Sequence, residues 1–290
     1  MIKTLCIGEI LWDTFPDKKV WGGAPANFIF HTAEFGADAT AFSAIGQDDL
    51  GTELLSVVAE TGINLVAERL IYPTGKVDVC VNSEGVANYQ FNEDCAWDHL
   101  PLTSDLMTLS QEADLIAFGT LAQRNEISKK TIHKALELKK DSCKVLFDIN
   151  LRADFYNKEI IEKSLNYTDI LKLNEEEIVI LQDLLGLSIQ QIIDTYKLEL
   201  VISTLGSEGS CIMTNSHSFE YPAVKCKVID TVGAGDSFTA SFIINYLQGM
   251  DIPEAQKLAS KVAAYVCEHK GATVSIPSEL KPIAEKGLQV

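Results

Sequence analysis

The chain has 290 residues and a formal net charge of −17, with 47% hydrophobic and 22% charged residues. This composition is typical of a globular protein, because disordered chains combine few hydrophobic residues with high charge. The acidic balance disfavours nucleic acid and anionic membranes as partners, since polyanions bind to basic patches. It leaves open a small phosphorylated ligand, which backbone amides and one metal ion can hold.

The N-terminal segment does not look like a targeting sequence. Its apolar stretch is short and is followed at once by Glu9 and Asp13, so we expect no signal peptide. No apolar run in the chain approaches the roughly 20 residues that span a bilayer. The seven cysteines are widely spaced, odd in number and without a Cys-x-x-Cys pair. We therefore expect reduced thiols and a cytoplasmic protein.

Strand-like and helix-like segments alternate along most of the chain. Short apolar runs, typical of strands buried on both faces, lie at residues 5–10, 39–45, 115–118, 145–149, 170–173 and 200–203. Helical segments lie between them, at residues 50–61, 127–139, 158–165 and 175–185. This alternation predicts an α/β fold with a mostly parallel central sheet flanked by helices. We expect a single domain over residues 1–290.

One region departs from this alternation. Polar and apolar residues alternate over residues 76–82 and again over residues 87–92, on either side of a stretch of turn formers. This pattern predicts an antiparallel hairpin with one apolar face. An isolated hairpin is marginal in water, so that face must cover something. The hairpin either extends an edge of the main sheet or forms a lid over a cleft, where it could also contact a second copy.

Two glycine-rich segments are candidates for ligand binding. Residues 21–27 describe a loop that enters a buried helix; its glycines serve either a tight turn or the approach of a ligand beside Asn27. Residues 230–238 contain a Gly-Ala-Gly turn at a helix start, where unpaired amides and the helix dipole favour an anion. Asp236 in that first turn is either favoured by the dipole or accepts a proton from an attacking hydroxyl.

Other site signatures are absent from the sequence or have a plain structural explanation. There is no G-x-x-x-x-G-K-[ST], no H-E-x-x-H and no G-x-S-x-G, and the five histidines are scattered. Asn174 with Glu177 matches a helix capping box. Residues 204–209 are typical of a turn between two strands. These last two segments alone would not indicate a site.

Taken together, these segments resemble the ribokinase, or PfkB, family of carbohydrate kinases, in the family's order and over essentially the whole chain. Residues 22–27 with 44–51 resemble its N-terminal signature, and residues 230–238 resemble its C-terminal signature. Asn174 and Glu177 fit its N-x-x-E element, and residues 204–209 fit its T-x-G-x-x-G nucleotide loop. Residues 9–13, 96–98 and 148–152 are more similar to the fructokinase branch than to ribokinase, which has an asparagine at the position of Leu11.

The resemblance implies an ATP-dependent sugar kinase, closest to fructokinases, which convert D-fructose to fructose 6-phosphate. It implies Asp236 as general base and an anion hole at Val232, Gly233, Ala234 and Gly235. It implies sugar binding by Asp13, Gly22, Gly23 and Asn27, and nucleotide binding by Asn174, Thr204, Gly206 and Gly209. It implies Mg²⁺ organised by Glu177 through water, and a monovalent cation such as K⁺ near Asp230, Val232, Gly271 and Ser275. Residues 12–22 and 74–97 would form a small antiparallel β lid.

Several alternatives stay open at this point. Ribokinase-like, tagatose, 2-keto-3-deoxygluconate and nucleoside kinases share the fold, and a non-catalytic sugar or nucleotide sensor is the alternative of another class. Asp236 and the intact glycine turn argue against a sensor, which needs no base. The expected partners are a sugar and ATP, without nucleic acid or membrane, and a homodimer through the lid is open. Arg152 and Lys172 fit either ligand contacts or surface charges.

Overall fold

A nine-stranded sheet forms the centre of the molecule in the computed structural model, which describes residues 1–81 and 87–281. In spatial order the strands are β13 (Ser218–Tyr221), β12 (Ser210–Met213), β11 (Leu200–Thr204), β10 (Ile170–Asn174), β9 (Lys144–Asp148), β8 (Leu115–Phe118), β1 (Lys3–Ile7), β4 (Asp38–Gly46) and β5 (Asn64–Leu70). In this spatial order, the seven strands from β11 through β1 to β5 pair in parallel. At the other edge, β12 pairs antiparallel with both β11 and β13. The predicted fold class is confirmed.

Helices cover both faces of the sheet. They are α1 (Ala24–Glu34), α2 (Asp49–Glu60), α3 (Ser104–Glu112), α4 (Glu126–Leu138), α5 (Lys158–Leu165), α6 (Glu175–Leu185), α7 (Ile189–Tyr196), α8 (Ala234–Leu247) and α9 (Ile252–Cys267). Side chains alternate between the two faces of a strand, so Leu5 and Ile7 of β1 join one hydrophobic cluster, with α3 to α7, while Cys6 joins another, with α1, α2, α8 and α9.

The helices differ in how they begin, and the difference singles out two of them. Most start with a side-chain N-cap, as Asp48 does for α2 and Asn125 for α4. Among the described α-helices, α1 and α8 instead begin at Gly23 and Gly233, which have φ of 113° and 79° and provide no side-chain cap. In the first turn of α1, Pro25 has no N–H group, and Ala26 and Asn27 donate to the Gly23 carbonyl oxygen. In the first turn of α8, the amides of Gly235 and Asp236 have no backbone acceptor among the described residues and are available to a ligand.

The predicted hairpin belongs to a second, four-stranded sheet. Its strands are ordered β3 (Lys19–Gly22), β2 (Leu11–Thr14), β6 (Lys76–Val81) and β7 (Ala87–Phe91). The pairs β2–β3 and β6–β7 are antiparallel, whereas β2 and β6 pair in parallel. The hairpin is thus confirmed, and it does not extend an edge of the main sheet. The turn predicted at residues 82–85 lies outside the described residues.

The first strand ends earlier than its apolar pattern predicts. The apolar run covers residues 5–10, but β1 stops at Ile7, and residues 8–10 lead into β2. At this point the chain leaves the main sheet and enters the small one. Gly23 packs against this crossing, since a Cβ atom there would lie 2.5 Å from the Glu9 carbonyl oxygen.

Two further expectations concern membranes and thiols. In the described part of the chain no single helix is long and apolar enough to cross a membrane; α6 and α7, bent by 66° to each other, meet that criterion only as a pair and by length and composition alone. All six cysteines whose side chains are described are free thiols, three of them buried and three partly exposed.

Candidate active site

The candidate site lies at the carboxyl ends of the parallel strands. The chain proceeds from β1 to β4 and β5 on one side and to β8 through β11 on the other, so the order reverses between β1 and β8. Ligands of open α/β sheets bind in the crevice at such a switch point. Glu9 follows β1 there, and Asp148, Asn174 and Thr204 end β9, β10 and β11. The candidate residues thus share one edge of the sheet.

The two glycine-rich signatures meet through one side-chain contact. Asn27 Nδ2 on α1 donates a hydrogen bond of 3.0 Å to Asp236 Oδ2 on α8, across 209 positions of sequence. Asn27 is only 7% exposed, and its Oδ1 has no hydrogen-bond partner among the described residues. The structure therefore brings the predicted general base together with a predicted sugar-binding residue.

The remaining predicted sugar-binding residues surround the same loop. A Cβ atom on Gly22 would lie 2.7 Å from Asp13 Oδ2, so the Asp13 carboxylate stands against the glycine backbone. Gly22 thus leaves room for the Asp13 carboxylate, whereas Gly23 is required by its positive φ and by the close approach of the Glu9 backbone. Burial raises the pKa of Asp13 to about 6, against the opposing charge of Arg152. Asp13 is thus harder to ionise than an ordinary aspartate.

The predicted anion hole is the uncapped start of α8. A Cβ atom on Gly233 would lie 2.6 Å from the Ala272 Cα, which explains the glycine in addition to its positive φ. The amides of Gly235 and Asp236 lie in the first helical turn without an acceptor within the helix, whereas the Ala234 amide donates to the Thr231 carbonyl oxygen at 3.2 Å. Such a turn stabilises an anion or developing negative charge.

The predicted monovalent-cation residues are only partly brought together. Asp230 accepts hydrogen bonds from the amide of Val232 at 3.1 Å and from that of Gly271 at 3.0 Å. Its carboxylate therefore ties the anion-hole turn to the loop after α9. Ser275 is exposed, and no hydrogen bond joins it to Asp230 in the described part of the chain.

The Asn174–Glu177 element is a complete capping box with an additional contact. Asn174 Oδ1 accepts from the Glu177 amide at 2.9 Å, and Glu177 Oε2 accepts from the Asn174 amide at 2.8 Å. The other oxygen, Oε1, accepts from the Leu151 amide at 2.9 Å. Glu177 thus connects α6 to the loop after β9, a role that the spacing of the N-x-x-E motif did not predict.

The predicted nucleotide loop lies beside this helix start. Thr204 at the end of β11 is in register with Asn174. Gly206 and Gly209 have φ of 54° and 113°, and a Cβ atom on Gly209 would lie 2.1 Å from the Tyr221 carbonyl oxygen. The turn into β12 is confirmed, and the structure places the predicted nucleotide-binding residues together.

Charged residues that the motifs did not assign complete the crevice. Lys172 on β10 lies 3.3 Å from Asp148 on β9. Burial raises the pKa of Glu9 to about 7, and it likewise raises the pKa values of Asp148, Glu177 and Asp236. The signal for Lys172 was available in the sequence, because a lysine within an otherwise apolar central strand is costly to bury.

A second cluster, also missed, joins the small sheet to the body. Arg124 donates two hydrogen bonds of 2.7 Å to Asp98 and one of 2.6 Å to the Asn92 carbonyl oxygen. Its guanidinium lies over the rings of Trp97 and Phe155, at 4.1 and 4.8 Å from their centroids. These residues connect the end of β7 to the loops after β8 and β9.

Comparison with known proteins identifies the family. The model of the pfkB family carbohydrate kinases matches residues 15–279, which is most of the chain. The chain belongs to this family. It is therefore an ATP-dependent carbohydrate kinase, as the glycine signatures and their meeting at Asp236 indicate.

Relatives named for different activities match this chain. An uncharacterized sugar kinase from Pyrococcus horikoshii, solved in complex with ATP, is 26% identical with a TM-score of 0.83, covering 93% of this chain and 94% of that one. A fructokinase from Xylella fastidiosa with bound ATP has 22% identity and a TM-score of 0.83, covering 97% of each chain. An ATP-dependent 6-phosphofructokinase from Thermoanaerobacterium thermosaccharolyticum is 25% identical over 285 residues, 96% of this chain and 87% of that protein. Membership of the family therefore does not fix the acceptor.

Proposed function

We propose that this kinase is a fructokinase, which transfers the γ-phosphoryl group of ATP to D-fructose and yields fructose 6-phosphate and ADP. The observation that carries the proposal is the hydrogen bond between Asn27 and Asp236. It joins a sugar-binding glycine loop to a carboxylate at the start of α8. A hydroxyl bound beside Asn27 would therefore lie near both a base and an anion-stabilising turn.

The chemistry assigned to Asp236 is general-base catalysis. Its carboxylate accepts the proton of the attacking sugar hydroxyl, whose oxygen bonds to the γ-phosphorus while the bond to the ADP oxygen breaks. Negative charge on the transferred group is stabilised by the amides of Gly235 and its neighbours at the start of α8. Asp13, Gly22, Gly23 and Asn27 are proposed to hold the sugar, and Asn174, Thr204, Gly206 and Gly209 the nucleotide.

The proposed magnesium role of Glu177 fits the structure only through water. Each carboxylate oxygen already accepts one backbone N–H, from Leu151 and from Asn174. One lone pair on each oxygen remains to orient a metal-bound water. When bound, Mg²⁺ supplies positive charge to the phosphates. K⁺ is proposed to bind near Asp230, Val232 and Gly271, which lie together in the structure.

The charges in the crevice favour a neutral sugar over a sugar phosphate. Arg124, which lies between the small sheet and the body, has its charge matched by Asp98 in a buried bidentate pair. Glu9, Asp13 and Asp236 add carboxyl groups to the sugar side. Among the described residues, Arg152 is the one cation whose charge acts on all three of these carboxyl groups. A second phosphate would therefore meet more negative than positive charge, since Arg124 is already paired, and this supports fructose rather than fructose 6-phosphate as acceptor.

The small sheet is proposed to act as the lid over this crevice. Its apolar face is formed by Leu11, Val77 and Val79, which are buried together. Closure of such a lid excludes water and limits hydrolysis of ATP. A homodimer formed through this sheet remains a proposal, as does the single-domain assignment over residues 1–290.

The test is coupled ADP release with a panel of sugars and nucleosides, followed by identification of the phosphorylated product. We expect the highest kcat/KM with D-fructose, a product phosphorylated at the 6-hydroxyl and little turnover of fructose 6-phosphate. Preference for another sugar or for a nucleoside would overturn the fructose assignment. ADP release that does not depend on any acceptor would overturn the proposed transfer to a sugar.

A further inference from the structure

A buried lysine lies at the centre of the crevice, within a strand whose neighbours are apolar. Lys172 is the third residue of β10 and is 7% exposed. Its partner in register on β9 is Asp148, and Lys172 Nζ lies 3.3 Å from Asp148 Oδ1. Hydrophobic residues of similar volume often stabilise a protein as well as a buried ion pair does. Fold stability alone therefore does not account for the pair.

The lysine ammonium lies beneath the start of α8. A Cβ atom on Gly235 would be 3.7 Å from Lys172 Nζ, and Gly235 directly precedes Asp236. The amine therefore adjoins the turn that carries the proposed base. Asp148 pairs with this amine from a strand, and the charge of Asp236, at the start of a helix, also acts on it.

Lys172 is the buried positive charge among several carboxyl groups. Burial lowers its pKa, but Asp148, Glu177 and Asp236 outweigh this effect and hold the pKa above its ordinary value. Lys172 is thus charged at neutral pH. Burial raises the pKa of Asp236, and the strongest opposing influence is the charge of Lys172, ahead of the Asn27 hydrogen bond and Arg152.

The groups that face Asp236 come from several elements. They are Cys6 of β1 and Glu9 after it, Asn27 of α1, Asp148 of β9, Arg152 in the loop after β9, and Lys172 of β10. The two cations differ, because Arg152 is exposed to solvent and Lys172 is buried. Water and salt screen an exposed charge more strongly, so Lys172 has the larger effect on the base.

We propose that Lys172 is a positioning residue that keeps Asp236 ionised as the general base, and that Asp148 limits this effect by competing for the same ammonium. The inference rests on the proposed function of Asp236. It explains why the Lys172–Asp148 pair is buried beside the start of α8. It also predicts opposite consequences for removing the two partners, which a purely structural ion pair does not.

The experiment compares the pH dependence of kcat/KM for the wild type, Lys172→Met, Lys172→Arg and Asp148→Asn. We expect Lys172→Met to move the acid limb to higher pH by about 1 unit, with a loss concentrated in kcat and larger at pH 6 than at pH 9. Lys172→Arg should leave the limb near its wild-type position. Asp148→Asn should move the limb to lower pH, because the ammonium then acts on Asp236 alone.

Each outcome decides the matter. Equal losses at every pH, or an acid limb unmoved by Lys172→Met, would overturn the inference. If Lys172→Met does not fold, as thermal unfolding would show, Asp148→Asn decides, and an unmoved or upward-shifted limb contradicts the inference. A wild-type enzyme without sugar-dependent ADP release would instead be a failure of the proposed function, which the same assay reports separately.

Discussion

At the scale of single residues, the crevice is defined by carboxyl groups that are harder to ionise than usual. Glu9 is 4% exposed, and burial raises its pKa to about 7, with Arg152 opposing the shift and Asp236 and Asp148 adding to it. Such shifts are common where proteins bind ligands or catalyse reactions. In this crevice they reflect several carboxyl groups converging on a single edge of the sheet.

The Glu9 shift predicts a specific pH dependence of stability. In the folded state the pKa of Glu9 is raised from 4.5 to about 7. The stability that this group contributes is therefore fully present below its unfolded pKa and is lost as the pH rises through about 7. Glu9→Gln should therefore raise the free energy of unfolding at pH 8 by up to about 3 kcal/mol relative to the wild type, and by much less at pH 4.5.

Urea unfolding at the two pH values measures this difference. The matched control is Glu60→Gln, since Glu60 is an exposed residue at the end of α2. The control should leave stability nearly unchanged at either pH. A stability difference between Glu9→Gln and wild type that is the same at pH 4.5 and pH 8 would show that the Glu9 carboxyl group is not perturbed as described.

At the scale of elements, the sequence predicts the strands well, and the missing parts are contacts between elements. The strand at 115–118 and the helix at 158–165 match their predicted bounds, because each is a clear apolar run or helical period. The resemblance predicted residues 12–22 and 74–97 as one small β lid, but the strand order of the four-stranded sheet was not predicted, since the parallel pairing of β2 with β6 joins segments about 60 residues apart in sequence. The same applies to the Arg124–Asp98 pair, whose partners look like ordinary surface charges in sequence.

The residues of the candidate site likewise include some that the sequence predicts and some that it does not. The residues that carry glycine or capping signatures were predictable and lie together, because these signatures encode local backbone geometry. Ser275 was assigned by resemblance alone and is not joined to Asp230 by a hydrogen bond. Asp148 and Lys172 become neighbours only through the register of β9 with β10, and no local signature encodes register.

Glu177 predicts a measurable link between two elements. Both of its oxygens accept backbone N–H groups, so Glu177→Gln would turn an amide NH₂ group toward one of these donors. An unsatisfied buried donor costs about 1–3 kcal/mol, and we expect that loss of stability together with a higher Mg²⁺ requirement. Glu176→Gln, on the exposed face of the same turn, should change neither. Thermal melts and Mg²⁺ titrations of activity that are equal for the two variants would contradict this assignment.

The Arg124 cluster predicts the cost of detaching the small sheet from the body. The Arg124 and Asp98 side chains are 7% and 2% exposed. Removing one partner of such a buried pair typically costs about 3–5 kcal/mol, because the other charge is left uncompensated. Arg124→Met should therefore lower the free energy of urea unfolding by that amount, and adding Asp98→Asn should recover part of it. An Arg124→Met variant that is as stable as the wild type would contradict a stabilising role for the Arg124–Asp98 pair.

At the scale of the whole molecule, the fold brings two helix starts to one point. Asn27 of α1 and Asp236 of α8 belong to signatures at opposite ends of the chain. A second contact fixes the same arrangement, since His31 Nε2 on α1 lies 2.8 Å from the Ala272 carbonyl oxygen. The sheet thus acts as the rigid support on which two uncapped, glycine-started helices meet over the strand ends.

The most direct test of the account is the turnover of Asp236→Asn at saturating ATP and fructose. The substitution keeps the shape of the side chain and a hydrogen-bonding oxygen but removes the proton acceptor. General-base catalysis typically contributes about 10²–10⁴-fold, so we predict that kcat falls by at least about 100-fold while calorimetric affinities for sugar and nucleotide stay close to wild type. A variant that retains more than about a tenth of the wild-type kcat would contradict the assignment of Asp236 as the general base.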